Sequence, residues 1–252
     1  TKITDLLTDI ISKLRWYRIE TDSLMVIDEN IDTTWYHDII DLKDIDNKNS
    51  ERILKLRITS QLPGCIDLIP TFTNLTYLDC GNNQLLKTIP DTLINLKVLY
   101  CSSNQLTSIP DTLTNLTNLE CYNNQLTSIP DTLINLTRLY CNYNQLTIIP
   151  DTLINLKVLY CSSNQLTSIP DTLINLNHLD CGNNQITNIP DTLINLKVLY
   201  CSGNQLTTIP DTLTNLIHLV CIGNQLTIIP DTLIKLTQLY CYDNQLTTIP
   251  DT

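Results

Sequence analysis

The sequence predicts an α/β-type repeat solenoid, a stack of short coils with a parallel β-sheet along one side, and three observations predict it. From Asn74 onward the pattern L-x-x-L-x-C-x-x-N-Q-L-T-x-I-P-D-T-L-x-N recurs every 20 residues, and a fixed period of that length marks stacked repeats rather than a globule. Within each repeat a Leu-x-Cys segment alternates apolar and variable residues with period two, which is a strand signal. Each repeat then closes on Ile-Pro. Proline fixes φ and biases the preceding residue to extended geometry, so the return side should be polyproline-like.

Residues 1–52 do not repeat and are expected to form a small helical N-terminal cap, because a solenoid end otherwise exposes its core. Thr4 stands as a helix cap before Leu6, Leu7, Ile10, Ile11 and Leu14, an amphipathic spacing. Trp16 and Tyr17 follow, then short mixed segments around Leu24–Ile27 and Trp35–Ile40. The charged, Asn-rich stretch from Asp44 to Arg52 reads as a linker or loop.

Residues 53–252 read as the solenoid, one degenerate repeat and nine regular ones. In the degenerate repeat, residues 53–73, Leu56, Ile58 and Leu62 take the strand-column places and Ile69-Pro70 the closing ones. The regular repeats lead with Leu75, Leu96, Leu116, Leu136, Leu156, Leu176, Leu196, Leu216 and Leu236. Between Gln84 and Ile89 there is one residue too many, so Cys80 and Cys101 stand 21 apart and a bulge in a turn is expected. Segments 89–113 and 149–173 are identical, which indicates duplication of repeat blocks. The last repeat stops at Asp251-Thr252 without a polar cap. The expectation is either a truncated chain or a coil exposing Leu236, Leu239 and Cys241, which frays in a monomer or associates end to end.

One repeat can be assigned position by position, with Leu96 as position 1. Leu96, Leu99, Cys101, Leu106, Ile109 and Leu113 point inward, while Val98, Tyr100 and Ser102 point out. Asn104, at position 9, is inward and polar, so it needs partners. The ladder from Asn83 to Asn244 is expected to donate to backbone carbonyls of its own and the adjacent coil. Asp111 and Thr112 favour a turn, and the acid column from Asp91 to Asp251 is read as turn-forming. A second column, Ile94, Ile134, Ile154, Ile174, Ile194 and Ile234, is expected to be partly buried, marking a lateral contact only if exposed.

Composition narrows the function classes. A net charge of −11 argues against nucleic acid, whose binders usually carry a basic stripe. No apolar run reaches a membrane span, and the N-terminus lacks the basic-then-apolar order of a signal peptide. Alanine is absent while Asn, Ile, Asp and Thr abound, which reads as coding bias of an AT-rich genome. Nine of the ten cysteines, Cys80 to Cys241, occupy one repeat position. At the roughly 4.8 Å spacing of paired strands their Cβ atoms lie too far apart for a relaxed disulfide, and a straight column does not converge tetrahedrally on a metal. Reduced, buried thiols are expected, with no cofactor and an intracellular, cytoplasmic location. Asn74, Asn115 and Asn135 open N-x-T sequons and are read as ordinary repeat residues.

These residues resemble the leucine-rich repeat family, L-x-x-L-x-C-x-x-N-x-L-x-x-I-P-x-x-L, with Cys where an aliphatic residue is usual. The 20-residue length and the Ile-Pro element resemble the short repeats of bacterial effectors, which use Leu-Pro. The Asn-rich, Ala-free coding also resembles repeat proteins of large DNA viruses of amoebae. The resemblance implies a leucine-rich-repeat horseshoe with a concave parallel β-sheet, where partners usually bind, and a short turn or polyproline-like convex side.

Positions 3, 5, 7 and 8 should face the concave side. They supply the candidate binding residues Tyr77, Asp79, Tyr100, Asn118, Glu120, Tyr122, Arg138, Tyr140, Tyr143, Tyr160, His178, Asp180, Tyr200, His218, Tyr240 and Tyr242. A tyrosine strip punctuated by acids suits protein recognition, since tyrosine offers a large contact area and a polar tip; stacking between neighbouring strands is the competing role. His178, Asp180 and Ser162 or Ser202 share the face, but an open sheet supplies no pocket or oxyanion site for a triad. The expected function is a non-catalytic protein–protein interaction scaffold. One alternative is the substrate-receptor part of a ubiquitin-ligase system, effector or F-box type, although residues 1–52 lack the F-box Leu-Pro start. Another is a structural or virion component. A viral or effector protein would act in the host-cell cytoplasm.

Overall fold

The computed structural model describes residues 73–84 and 86–248 in full, together with the strand backbones at 16–20, 23–27 and 55–58. Its strands are β1 (Trp16–Glu20), β2 (Ser23–Ile27), β3 (Lys55–Ile58), β4 (Tyr77–Asp79), β5 (Val98–Tyr100), β6 (Asn118–Glu120), β7 (Arg138–Tyr140), β8 (Val158–Tyr160), β9 (His178–Asp180), β10 (Val198–Tyr200), β11 (His218–Val220) and β12 (Gln238–Tyr240). From β3 to β12 they lie side by side in chain order in one parallel sheet, in strict register. Leu78 stands opposite Leu99, Leu99 opposite Leu119, and so on along the stack. A period of 20 residues therefore becomes one coil per strand.

Inside the stack the six apolar positions of every coil before the last described one are sealed. Leu96, Leu99, Cys101, Leu106 and Leu113 are 0% exposed and Ile109 4%. Burying each such leucine contributes about 1.5–3 kcal/mol, so one coil alone is marginal and its neighbours complete it. The return side is two consecutive turns, Pro110 carbonyl to Leu113 N–H and Leu113 carbonyl to Leu116 N–H. No helix occurs among the described residues.

The expected bulge lies at Gln84, whose φ is +56°. Leu86 takes the core place: it is 1% exposed, and its carbonyl accepts the Gln105 N–H as Leu106 accepts that of Gln125. In the last described coil Leu236, Leu239 and Cys241 are only partly buried.

The N-terminal cap needs correction. Where it is described it is strand, not helix: β1 and β2 form an antiparallel hairpin, and β1 runs parallel beside β3. The sequences WYRIE and SLMVI are rich in aromatic and β-branched residues, which suit strands. The hairpin also gives β3 a hydrogen-bonding neighbour in place of an open edge. The helix expected between Thr4 and Leu14, and the segment Trp35–Ile40, lie outside the described residues.

The isoleucine column is corrected too. Ile134, Ile154, Ile174 and Ile194 are each 50% exposed, and Ile234 74%. The preceding Leu and following Leu take the inward directions of that turn, leaving the intervening side chains in solvent.

Candidate functional site

Side-chain ladders fix the coils to one another, and so fix the sheet face. Asn144 donates through Nδ2 to the carbonyls of Cys121 (3.0 Å), Cys141 (3.0 Å) and Asn142 (3.2 Å), and its Oδ1 accepts the Leu126 N–H at 3.0 Å. The same set recurs at Asn164, Asn184, Asn204 and Asn224. Two further ladders were not evident from the sequence. Thr112 Oγ1 donates to the Asp91 carbonyl at 2.7 Å, and Asn115 Nδ2 to the Ile94 carbonyl at 2.9 Å, with counterparts along the stack. The sequon residues Asn115 and Asn135 thus serve the backbone of the coil before them.

Position 8 has positive φ in every described coil: Asn82, Ser103, Asn123, Tyr143, Ser163, Asn183, Gly203, Gly223 and Asp243 all lie between 52° and 65°. Asn, Asp and Gly suit that region; a bulky aromatic does not. The preference for small polar residues at this position was the available signal. At Gly203 a Cβ would also stand 2.5 Å from Asn183 Oδ1.

With the coils fixed, positions 3 and 5 alternate with buried leucine and face out from the sheet. Tyr77, Asp79, Tyr100, Asn118, Glu120, Tyr140, Tyr160, His178, Asp180, Tyr200 and His218 are half-buried there. Arg138, Tyr122, Tyr143, Tyr240 and Tyr242 are exposed, Tyr143 and Tyr242 by 62% and 63%. The aromatic residues form edge contacts in three places. Tyr77 meets Tyr100 at a centroid distance of 5.4 Å, Tyr140 meets Tyr160 at 4.9 Å, and Tyr200 meets His218 at 5.1 Å, with Tyr240 beyond at 5.9 Å. The Tyr200 hydroxyl lies 3.3 Å from His218 Nδ1, while His218 Nε2 is buried without a hydrogen-bond partner. The same side chains thus stack between strands and remain partly open to solvent.

Two acids of this face, Glu120 and Asp180, are partly withdrawn from water. Burial pushes the Glu120 carboxyl up, and the charge of Asp79 adds to it. Burial raises Asp180 as well, opposed by hydrogen bonds from Gly182 N–H (3.2 Å) and Ser162 Oγ (3.1 Å). Tyr100 and Tyr160 are raised by burial first and by neighbouring acids and tyrosines next. Ser162 is thereby committed to Asp180, and His178 Nδ1 lies 2.6 Å from Asn177 Oδ1, so no hydrogen bond joins this serine to this histidine.

Cys80 to Cys241 are free, and all but Cys241 are buried. Desolvation raises each thiol, the eight buried ones far above their ordinary range; Cys221 is pushed up to about 12. No group of three or more His, Cys, Asp or Glu side chains suited to a metal is assembled among the described residues.

A family profile of paired Leucine Rich repeats matches residues 94–135, 134–174, 154–193 and 174–213, and a single-repeat profile of the same family matches 74–96. The chain is a leucine-rich repeat protein. Three solved structures illustrate the likeness. YopM, described as a leucine-rich effector protein from Yersinia pestis, is 24% identical with a TM-score of 0.62, covering 79% of this chain and 63% of that one. The functional domain of InlJ from Listeria monocytogenes, which includes a cysteine ladder, is 25% identical with a TM-score of 0.59, covering 81% and 56%. The Arabidopsis receptor kinase HAESA, in complex with the peptide hormone IDA and the co-receptor SERK1, is 25% identical with a TM-score of 0.63, covering 78% and 43%. The leucine-rich repeat chain thus spans about two thirds or less of each of these proteins. No curated protein sequence matches it.

Proposed function

We propose that this leucine-rich repeat chain is a non-catalytic scaffold that binds a protein partner across its sheet face. The observation that carries the proposal is the contrast within one coil. In the coils before the last described one every inward position is sealed by leucine, isoleucine and cysteine, whereas the outward positions of the same strands hold tyrosines that are only half-buried. Tyrosine and arginine are the residues most often dominant at protein interfaces. HAESA, of similar fold, is in complex with a peptide hormone and a co-receptor. Free, buried cysteines support placing the protein in a reducing, intracellular compartment.

The test is affinity capture with the whole chain against the variant Tyr140→Ala/Tyr160→Ala. Loss of the captured partners with an unchanged circular dichroism spectrum supports the sheet face, because these two rings touch each other on the outward side of the strands. Retention of every partner would sink the proposal.

A further inference from the structure

The scaffold reading leaves the chemistry of the partner open, and one row of the face constrains it. Six consecutive position-5 residues are Tyr100, Glu120, Tyr140, Tyr160, Asp180 and Tyr200. Strict register puts Glu120 directly between Tyr100 and Tyr140, and Asp180 directly between Tyr160 and Tyr200. The row is thus two copies of one arrangement, a carboxylate flanked by two tyrosines, joined where Tyr140 and Tyr160 meet edge to face.

Each arrangement is a slot. The flanking tyrosines stand two strands apart, about 9.6 Å at the backbone, enough for one inserted side chain. The floor is a carboxylate. Asp180 is held in place by Gly182 N–H on Oδ1 and Ser162 Oγ on Oδ2, two neutral donors that leave its charge without a cationic partner among the described residues. Glu120 has neither hydrogen bond nor ion pair among the described residues, although it is partly buried and repelled by Asp79. A partly desolvated carboxylate between aromatic rings is completed by a cation, which gains both the charge pair and the ring faces. Among the residues described in full, Asp79, Glu120, Asp180 and Asp243 on the face are accompanied by the one cation Arg138, the register places Lys55 and Arg57 of β3 beside Tyr77 and Asp79 at the far end, and residues 74–252 hold 13 acids against 6 bases.

We propose that the paired slots at Glu120 and Asp180 recognise two basic side chains of one extended peptide segment, spaced four residues apart. The spacing follows from the sheet. Glu120 and Asp180 are three strands apart, about 14 Å. An extended peptide rises about 3.4 Å per residue and returns to the same side every second residue, so residues i and i+4 span about 13.6 Å and point the same way. A helix covers that distance in about nine residues, which turn through two and a half revolutions and emerge on the opposite face. Extended backbone satisfies both distance and direction; helix satisfies only the first.

The inference rests on the scaffold reading and is tested apart from it. Labelled peptides bearing two arginines separated by one to six glycine or serine residues are titrated onto the whole chain, followed by fluorescence anisotropy. A three-residue spacer should bind about 10-fold more tightly than one or six, since only it seats both cations. Glu120→Gln and Asp180→Asn should each remove about 10-fold of that affinity, the effect of one lost charge pair, with circular dichroism unchanged. Should Asp180→Asn disturb the fold, Tyr200→Leu tests the same slot from its wall. Affinity independent of spacing would show only general attraction to an acidic protein and would overturn the proposal, as would absence of binding at every spacing. Should the captured partners depend on Tyr140 and Tyr160 while neither Glu120→Gln nor Asp180→Asn affects them, the slots fall and the scaffold stands.

Discussion

Asn104 and Asn144 occupy the same position of two coils, and the structure assigns them different energies. Replacing Asn144 with Ala removes its Nδ2 contacts to Cys121, Cys141 and Asn142 and the Oδ1 that accepts the Leu126 N–H. The Cys121 carbonyl keeps Asn124, and the Cys141 carbonyl keeps Asn164, so neither is orphaned. The Leu126 N–H, in contrast, is left inside the stack without an acceptor, which costs about 1–3 kcal/mol. Adding about 1 kcal/mol for each of two lost net hydrogen bonds gives a loss of about 3–5 kcal/mol. Asn104 makes the corresponding Nδ2 contacts to Cys80, Cys101 and Ser102, but its Oδ1 is buried with no partner. Asn104→Ala therefore orphans no amide and removes an unsatisfied acceptor, so its loss should be about 1–2 kcal/mol. Urea unfolding followed by far-ultraviolet circular dichroism reads both losses, and hydrogen exchange at the Leu126 amide reads the local effect of Asn144→Ala. Equal losses at the two sites, or an unchanged Leu126 exchange rate, would refute the reasoning.

Three further outcomes follow from the same geometry. Tyr143 holds φ +53° while 62% exposed, so Tyr143→Asn should stabilise the chain by about 0.5–1 kcal/mol, measurable as a raised unfolding midpoint, while weakening partner capture. Because burial raises the thiols, their thiolate fraction at pH 8.5 is small in the folded chain. Among the described cysteines Cys241, the least buried, should alkylate first and the others only on unfolding, as read by peptide mass spectrometry. Glu120 has a folded pKa raised by burial, so its ionisation opposes folding: its contribution is favourable below the unfolded carboxylate range and is lost as pH rises through the folded value. Glu120→Gln should accordingly stabilise the chain at neutral pH, with the gain vanishing in acid where both forms are neutral. Melting temperatures across that range check the sign.

The coil was legible from sequence because its information is periodic and apolar. Leu99 and Cys101 alternate with Val98 and Tyr100, and that alternation fixed which residues would be inside. The Asn ladder was legible for a related reason, since a repeated inward amide must find backbone partners. What stayed hidden depends on geometry that residue identity does not state. The threonine and second asparagine ladders join positions 21 residues apart, a contact defined only once coils are stacked. The half-exposure of Ile134 depends on which way a turn faces, not on its being apolar. The hairpin of β1 and β2 lacks any repeat to vote with, and there the helical spacing further upstream weighed too heavily. The order Tyr, Glu, Tyr, Tyr, Asp, Tyr was readable at position 5, but not that its acids are partly desolvated.

Stability and recognition make opposite demands at the same few positions. A coil built only to stack would place Asn or Gly at position 8 and a neutral residue at position 5, because left-handed backbone disfavours a large ring and partial burial disfavours a carboxylate. Asn123 and Asn183 meet the first demand, Val220 the second. Tyr143 departs from the first and Glu120 and Asp180 from the second, in coils whose inward residues conform to the repeat. Such departures are tolerable because each coil is supported on both sides by neighbours with sealed cores, so a penalty of about 1 kcal/mol at one exposed position is small against the burial of five or six apolar side chains in that coil. The face can therefore carry locally unfavourable residues without losing the fold. A double substitution, Tyr143→Asn with Glu120→Gln, should produce a chain more stable at neutral pH yet poorer in binding, whereas residues kept only for packing would lose stability when replaced.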